Sequence, residues 1–365
     1  MCGFAGLWQS VPDAAPQLQA RARAMAEAIA HRGPDDARLW CDPPLGLALA
    51  HRRLAILDRS PAGHQPMASA TGRYVIAFNG EIYNHLALRQ ELEQAALLYA
   101  PWRGQSDTET LLAAIEAWGL PDALRNCAGM FALALWDQHH RVLHLGRDRF
   151  GEKPLYWGWL QGPKGRQLVF TSELAAVRAL PGAAMPALDP AAVGAFFQQG
   201  CIPAPLCIHG GLQQLPPGHW LAIPATAAGQ PPLQLTAPQP WWDLQTEAAH
   251  AAAQPSFATE AEALGVLEAA LQHSVAQQAI ADVPLGAFLS GGIDSSLITA
   301  LLQAGSGRAV RSFTIAFPDE GGGAAGFNEA PYARAVAAHL GTDHTEVALT
   351  AADARALIPS LPRLY

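Results

Sequence analysis

Val283-Pro284-Leu285-Gly286-Ala287-Phe288-Leu289-Ser290-Gly291-Gly292-Ile293-Asp294-Ser295-Ser296 decides the architecture of the second half of the chain. An apolar run over 283–289 reads as a buried strand. A glycine turn follows, then a helix over 294–303. Glycines there let backbone approach an anion, successive N–H groups point inward, and the helix N-terminus adds partial positive charge. The same residues also read as a glycine turn with an Asp/Ser helix cap. No Gly-Lys-Ser/Thr follows, so this is not a Walker A loop. Working outward, an amphipathic helix precedes at 260–280. A strand follows at 310–317, a helix at 328–339, a strand at 344–349 and a helix from Ala351. Strand and helix in alternation predict a parallel, doubly wound α/β sheet. The run 321–326 reads as a flexible loop insertion.

The first half reads differently. Apolar alternation at Leu45, Leu47 and Leu49, and short runs at 74–78, 130–136, 142–145 and 168–170, predict strands. Helices are predicted at 16–31 and 106–118, the second opened by a capping box of Ser106 and Glu109. Strands and helices mixed in this way indicate a layered α+β domain. Residues 219–255 are rich in Ala, Pro, Gln and Thr and read as a linker, with short strands at 220–223 and 241–242. The expected domains are therefore 2–218 and 256–365.

Composition limits the functions available. The chain has 365 residues, half of them hydrophobic, enough for two cores. Lys+Arg 23 against Asp+Glu 31 gives a net charge of −8, which argues against nucleic acid or an anionic membrane as partner. No apolar run has the length of a membrane span, and the N-terminus does not read as a signal peptide. The five cysteines are scattered without a CxxC pair, which predicts a reduced, cytoplasmic protein. Cys41, Cys127, Cys201 and Cys207 read as packing residues.

Cys2 becomes N-terminal if Met1 is removed, and would then carry its own base. A free α-amino group has a pKa of about 7.7–8.0 and can take the thiol proton. Asn79-Gly80-Glu81 follows a strand; a side-chain amide beside a glycine N–H offers two donors to an oxyanion, and also reads as a hairpin turn. Arg53 could fork a substrate carboxylate or be an exposed strand arginine. Asp107 could hold a substrate ammonium or help start a helix.

Taken together, Met1-Cys2-Gly3, His31-Arg32-Gly33-Pro34-Asp35, Ala50-His51-Arg52-Arg53-Leu54, Asn79-Gly80-Glu81-Ile82-Tyr83-Asn84, Ser106-Asp107-Thr108-Glu109 and Gly146-Arg147-Asp148-Arg149-Phe150-Gly151 occur in the order seen in class II glutamine amidotransferases. The chain resembles that family over about 2–218. The resemblance implies a four-layer αββα N-terminal-nucleophile hydrolase fold. It implies Cys2 as nucleophile, Asn79 and Gly80 as oxyanion hole, and Arg53, Asn79, Gly80, Glu81 and Asp107 as glutamine-binding residues. Glutamine and water would become glutamate and ammonia through a thioester on Cys2.

Ser290–Ser296 resembles the pyrophosphate loop of ATP pyrophosphatases. That likeness implies ATP binding by Ser290, Gly291, Gly292, Asp294, Ser295 and Ser296, with Leu289 and Ile315 flanking the adenine and Asp294 helping to hold Mg²⁺. An amidotransferase followed by such a loop resembles the glutamine-dependent asparagine synthetases. Asn328-Glu329-Ala330-Pro331-Tyr332-Ala333-Arg334 and His339-Leu340-Gly341-Thr342-Asp343-His344 strengthen the likeness. It implies glutamine, aspartate and ATP as substrates, ATP and Mg²⁺ as cofactors, a β-aspartyl-AMP intermediate, an internal ammonia tunnel, and a homodimer as a possible assembly. Glucosamine-6-phosphate synthase and the amidophosphoribosyltransferases share the first domain type, but 290–296 speaks against both. Members of the family continue beyond the point matching Tyr365. Residues 256–365 carry eleven acidic residues against five arginines, and 165–365 contain no lysine. These features predict an incomplete parallel sheet and a chain that keeps glutaminase chemistry without synthetase chemistry. Two alternatives stand beside this reading: an amide or β-lactam synthetase acting on another carboxylate, and a non-catalytic glutamine- or nucleotide-binding protein.

Overall fold

The structure, a computed structural model, describes residues 2–226, 231, 236–253, 257–317 and 328–361. The run 321–326 lies outside them. The chain divides into two compact units, Met1–His250 and Ala251–Tyr365.

The first unit opens with β1 (Gly3–Gln9), α1 (Ala15–Glu27), β2 (Asp36–Asp42), β3 (Leu47–Arg53) and β4 (Met67–Ala68). It continues with β5 (Tyr74–Ile82), α2 (His85–Gln94), α3 (Asp107–Trp118), α4 (Leu120–Asn126), β6 (Gly129–Asp137) and β7 (Val142–Arg147). Then come β8 (Tyr156–Gly162), β9 (Gly165–Thr171), α5 (Leu174–Arg178), α6 (Pro190–Gln199), β10 (Leu212–Gln214), β11 (His219–Pro224), β12 (Gln239–Pro240) and α7 (Leu244–Ala252). Two six-stranded sheets result, ordered β10-β8-β9-β1-β3-β2 and β12-β11-β7-β6-β5-β4. The strands paired in these sheets run antiparallel.

Three apolar layers hold four structural layers together. Between the sheets lie Phe4, Trp8, Leu47, Val75, Trp136, Leu145 and Phe170. Trp8 and Trp136 meet edge to face at 5.3 Å, and the Trp8 indole N–H donates to the Leu45 carbonyl at 3.1 Å, so its polar atom is not stranded. The outer face of the first sheet packs on α1 and α5 through Leu18, Met25, Ile29 and Val177. The outer face of the second packs on α2, α3 and α4 through Leu88, Leu111, Ile115 and Leu124. This is the αββα sandwich. Both faces of each sheet are covered, which explains why β1 is buried at all seven residues instead of alternating.

Several local expectations differ from what is found. The helix expected at 16–31 ends at Glu27 and gives way to a 3-10 turn at Ala30–Arg32. Ser106 caps α3, but Glu109 does not close the capping box: its carboxylate accepts from the Arg103 and Gly104 amides at 2.9 and 3.1 Å and braces the preceding turn. Within the expected linker, the short strand read at 220–223 is found as β11, and it joins the second sheet because Leu221 and Ile223 fit the layer between the sheets. Trp241 is likewise buried, with its indole N–H donating to the Arg147 carbonyl. Cys127 and Cys207 are buried, but Cys201 is exposed and packs nothing.

The second unit contains α8 (Glu260–Gln278), β13 (Gly286–Phe288), α9 (Ile293–Ala304), β14 (Arg311–Ala316), α10 (Ala330–Leu340), β15 (Asp343–Ala348) and α11 (Ala351–Leu357). The three strands pair in parallel in the order β13-β14-β15. α9 and α10, the connections between successive neighbours, touch each other on one face, as the right-handed rule for parallel crossovers requires. On the other face, among the described residues, Phe288, Ile315 and Val347 are 83, 50 and 54% exposed. The strand expected at 283–289 pairs over only three residues. α8, expected to be amphipathic, has Leu264, Leu267, Leu271 and Val275 on one stripe but buries no residue fully: Leu271 and Val275 are half-buried, while Leu264 and Leu267, nearer its N-terminus, are exposed.

Candidate active site

Cys2, Arg53, Asn79, Gly80, Glu81 and Asp107 line one pocket of the first unit. They arrive from four elements. Cys2 immediately precedes β1, Arg53 ends β3, Asn79, Gly80 and Glu81 lie near the end of β5, and Asp107 is the first residue of α3.

The Cys2 thiol exchanges hydrogen bonds with one residue. The Leu54 amide donates to Sγ at 3.3 Å, and Sγ faces the Leu54 carbonyl at 3.5 Å. Burial pushes the thiol pKa up, while the Leu54 contact, the chain's N-terminal charge and Arg53 pull against that shift. A protonated thiol of this kind needs a base to become a nucleophile. The Cys2 carbonyl is held by Arg32 Nε at 2.9 Å, and Arg32 Nη1 is held in turn by Glu173 at 2.6 Å.

Arg53 is buried, and its described partners are backbone carbonyls. Its guanidinium donates to the Ser60 and Leu57 carbonyls, each at 3.2 Å, and to the Asp58 carbonyl. Three of five N–H groups are thus used to shape the loop, and the remainder stay available for a ligand carboxylate. The Asp58 carboxylate accepts from Gln105 N at 2.7 Å and Ser60 N at 3.1 Å, which ties that loop to the start of α3.

Asn79 is wholly buried, and its Nδ2 donates to Ser172 Oγ at 3.5 Å. Gly80 is required by a close approach: a Cβ there would collide with the Met130 carbonyl and Phe131 on β6. Burial and the neighbouring Asp107 push Glu81 up to about 7, with Lys153 opposing. Asp107 accepts from Ile82 N at 2.9 Å and Thr108 N at 2.8 Å, and burial raises its pKa as well. Two carboxylates and two cations, Arg53 and Lys153, therefore line the same pocket. Such a set matches a zwitterionic amino acid.

Two buried side chains hold this wall in register. Gln65 accepts from Phe78 N at 2.7 Å and donates to Thr108 Oγ1 at 3.2 Å, joining β5 to α3. His51 Nε2 meets the Phe78 carbonyl at 2.9 Å across the two sheets, and burial lowers its pKa to about 4, so it stays neutral and donates.

The second unit carries the turn after β13. Ser295 Oγ accepts from Ser290 N at 3.2 Å and meets Ser290 Oγ at 2.8 Å, while Gly292 N donates to Ser290 Oγ at 3.2 Å. Gly291 has φ +82°, and a Cβ there would press on Tyr332. No side chain caps α9, which leaves its first-turn N–H groups for an anion. Asp294 and Gly292 are exposed beside them, and Ser296 Oγ is buried without a partner. The residues expected to flank a base sit at the ends of adjacent strands, since Leu289 N donates to the Phe313 carbonyl of β14 at 2.8 Å. Leu289 is 1% exposed and packs with Ala333 and Ala337, whereas Ile315 stands half exposed on β14.

A family model described as a glutamine amidotransferase domain matches residues 1–234. The chain belongs to that family. A model described as asparagine synthase matches residues 266–365 of the same amidotransferase chain. Relatives include asparagine synthetase [glutamine-hydrolyzing] 1 of Bacillus subtilis, 31% identical over 94% of this chain and 49% of the relative. Asparagine synthetase B [glutamine-hydrolyzing] of Escherichia coli is 30% identical over 96% of this chain and 54% of its own. The chain spans about half the length of the curated relatives it matches. Among solved structures, a glutamine phosphoribosylpyrophosphate amidotransferase from Bacillus subtilis superposes with a TM-score of 0.46 at 14% identity, over 94% of this chain and 65% of that one. No helix among the described residues is long and apolar enough to cross a membrane.

Sequence reading missed Gln65, Lys153, Ser172 and Glu173 of the amidotransferase pocket and its supports. Lys153 carried one signal, as one of two lysines in the chain. Ser172 carried none, since its partners Phe4 and Asn79 are 168 and 93 residues away.

Proposed function

We propose that the chain hydrolyses glutamine at Cys2 and serves a glutamine-dependent synthesis of asparagine. The convergence of Cys2, Arg53, Asn79, Gly80, Glu81 and Asp107 on one pocket carries this reading. After removal of Met1, the Cys2 α-amino group takes the thiol proton. The thiolate attacks the side-chain amide carbon of glutamine. Asn79 Nδ2 and Gly80 N stabilise the oxyanion. Collapse expels ammonia, with the proton returned by the α-amino group, and leaves a thioester that water converts to glutamate. Arg53 holds the substrate α-carboxylate, and Glu81 with Asp107 holds the ammonium.

In the second unit, the 290–296 turn and the start of α9 fit the pyrophosphate part of ATP. The aspartate β-carboxylate would attack the α-phosphate, giving β-aspartyl-AMP and pyrophosphate, and ammonia would then displace AMP. Asp294, exposed at the start of α9, would be the carboxylate to share Mg²⁺ with those phosphates. Among the described residues no group of three or more His, Cys, Asp or Glu is assembled for a metal, so the phosphates themselves would complete the site. When bound, Mg²⁺ supplies positive charge to an acidic unit that has no lysine.

The test is one reaction containing protein, glutamine, aspartate, ATP and Mg²⁺, with glutamate and AMP both quantified. Glutamate abolished by Cys2→Ala supports the glutaminase half. Glutamate without AMP is expected if this chain keeps the glutaminase half alone, whereas AMP matching glutamate, with asparagine formed, would put the complete synthetase chemistry within it. Wild-type protein releasing no glutamate sinks the proposal.

A further inference from the structure

Residues 2–4 lie beyond the β1–β9 ladder, whose register ends at Ala5 opposite Thr171. On one side Gly3 and Phe4 pair with Arg52 and His51 of β3, and on the other Phe4 is held by Thr171, the last residue of β9, and by Ser172 just after it. Ser172 N donates to the Phe4 carbonyl at 2.9 Å, and Thr171 Oγ1 donates to the same carbonyl at 3.1 Å. In the other direction, Phe4 N donates to Ser172 Oγ at 3.1 Å. That same Oγ accepts from Asn79 Nδ2 at 3.5 Å. Ser172 is 0% exposed, so no water competes for either contact. One hydroxyl therefore touches the strand that carries Cys2 and the amide that lines the pocket from the opposite sheet.

The chemistry of the Asn79 amide gives this contact its meaning. A carboxamide nitrogen carries two hydrogens. An acceptor at Ser172 engages one of them and turns the nitrogen edge, not the oxygen, toward its side of the pocket. The second hydrogen is left for a ligand. Among the described residues Asn79 Oδ1 has no partner, which leaves the Ser172 contact to orient the group.

We infer that Ser172 is a positioning residue for glutamine hydrolysis: its hydroxyl sets the Asn79 amide, as oxyanion donor, in fixed relation to the Cys2 strand. The inference rests on the glutaminase reading above. It predicts a defect in the step that builds the oxyanion, and little change in substrate binding or in the reactivity of the thiol itself.

Ser172→Ala and Ser172→Cys test it. The second keeps nearly the same volume with a poor hydrogen-bond acceptor, so it guards against an Ala variant that fails to fold. Steady-state glutamate release should show kcat lower by about 10–100-fold and KM within about threefold. Alkylation by iodoacetamide, read at Cys2 by mass spectrometry of the N-terminal peptide, should keep the wild-type rate, because displacement at carbon builds no oxyanion. In an Asn79→Ala background, Ser172→Cys should cost nothing further. A Ser172→Cys protein with wild-type kcat overturns the inference. So do additive losses with Asn79→Ala, or alkylation that falls in step with kcat, since either would confine Ser172 to holding β1. Wild-type protein that releases no glutamate overturns the glutaminase reading, and the inference with it.

Discussion

At the scale of single residues, the amidotransferase pocket is a set of groups whose states are set by burial. Asn79 gives up its solvation entirely and accepts no hydrogen bond, which leaves its amide dedicated to donation. Asn79→Ala should therefore lower kcat for glutamate release by about 10²–10³, or about 2.7–4 kcal/mol, with KM little changed. Glu81 behaves differently, because burial and Asp107 lift it to about 7. As pH falls through that value Glu81 gains a proton and loses the charge that would face the substrate ammonium. KM for glutamine should rise below about pH 7. Glu81→Gln should raise KM at pH 8 and flatten that dependence. The α-amino base, with its pKa of about 7.7–8.0, should govern kcat separately. Initial rates across pH for the two proteins check this. A KM profile that is unchanged by Glu81→Gln would remove Glu81 from substrate binding.

At the scale of elements, β5 is the piece on which the site depends. It pairs with β6 along nine residues, from Tyr74 opposite Asp137 to Ile82 opposite Gly129. Gly80 lets the strands close at the oxyanion position. Gly80→Ala should push β5 from β6, destabilising the unit by about 1–3 kcal/mol in urea unfolding and removing most glutamate release. The Phe78 carbonyl is held across the sandwich by His51, whose pKa is lowered by burial to about 4, as is that of His144 on β7. Unfolding returns each to about 6.5. The unfolded chain then binds more protons between these values, so stability is full above about pH 6.5 and falls as pH drops toward 4. The loss is on the order of 3 kcal/mol for each histidine. Urea midpoints at pH 7 and pH 4.5 measure it. Equal midpoints would contradict the assignment.

At the scale of the whole molecule, the two units are built to different standards. The first has four layers with both faces of both sheets covered. The second has three parallel strands with Phe288, Ile315 and Val347 exposed on one face. Hydrogen exchange should therefore be slow in β1, β3, β5, β6 and β9, and faster in β13, β14 and β15. Equal protection would show that this exposed face is not a weakness. Because the pocket draws every one of its groups from Met1–His250, a chain ended at His250 should fold and release glutamate at the wild-type rate. Loss of that activity would place part of the glutaminase site in the second unit.

The local signals were strong enough to read without coordinates wherever one segment carries its own chemistry. Cys2 at the chain start, Asn79-Gly80 after an apolar strand, and Ser290-Gly291-Gly292 before a helix are of this kind, and so are the strand–helix alternation of the second unit and the strand-rich first. What spans distant segments was not legible. Trp220 and Trp241 sit in a Pro-rich stretch that reads as a linker with short strands, and nothing local shows that β11 enters the second sheet between β7 and β12. Gln65, Ser172 and Glu173 have ordinary neighbours, and their purpose lies in hydrogen bonds to residues 13 to 168 positions away. The packing of Leu289 on Ala333 and Ala337 of α10 is of the same long-range kind. The sequence by itself determined which side chains could do chemistry and which periodicity each segment follows, because those are properties of residue type and spacing. The tertiary structure alone decided which of them meet, because burial and pairing across the two sheets set every distance, hydrogen-bond partner and proton affinity in the site.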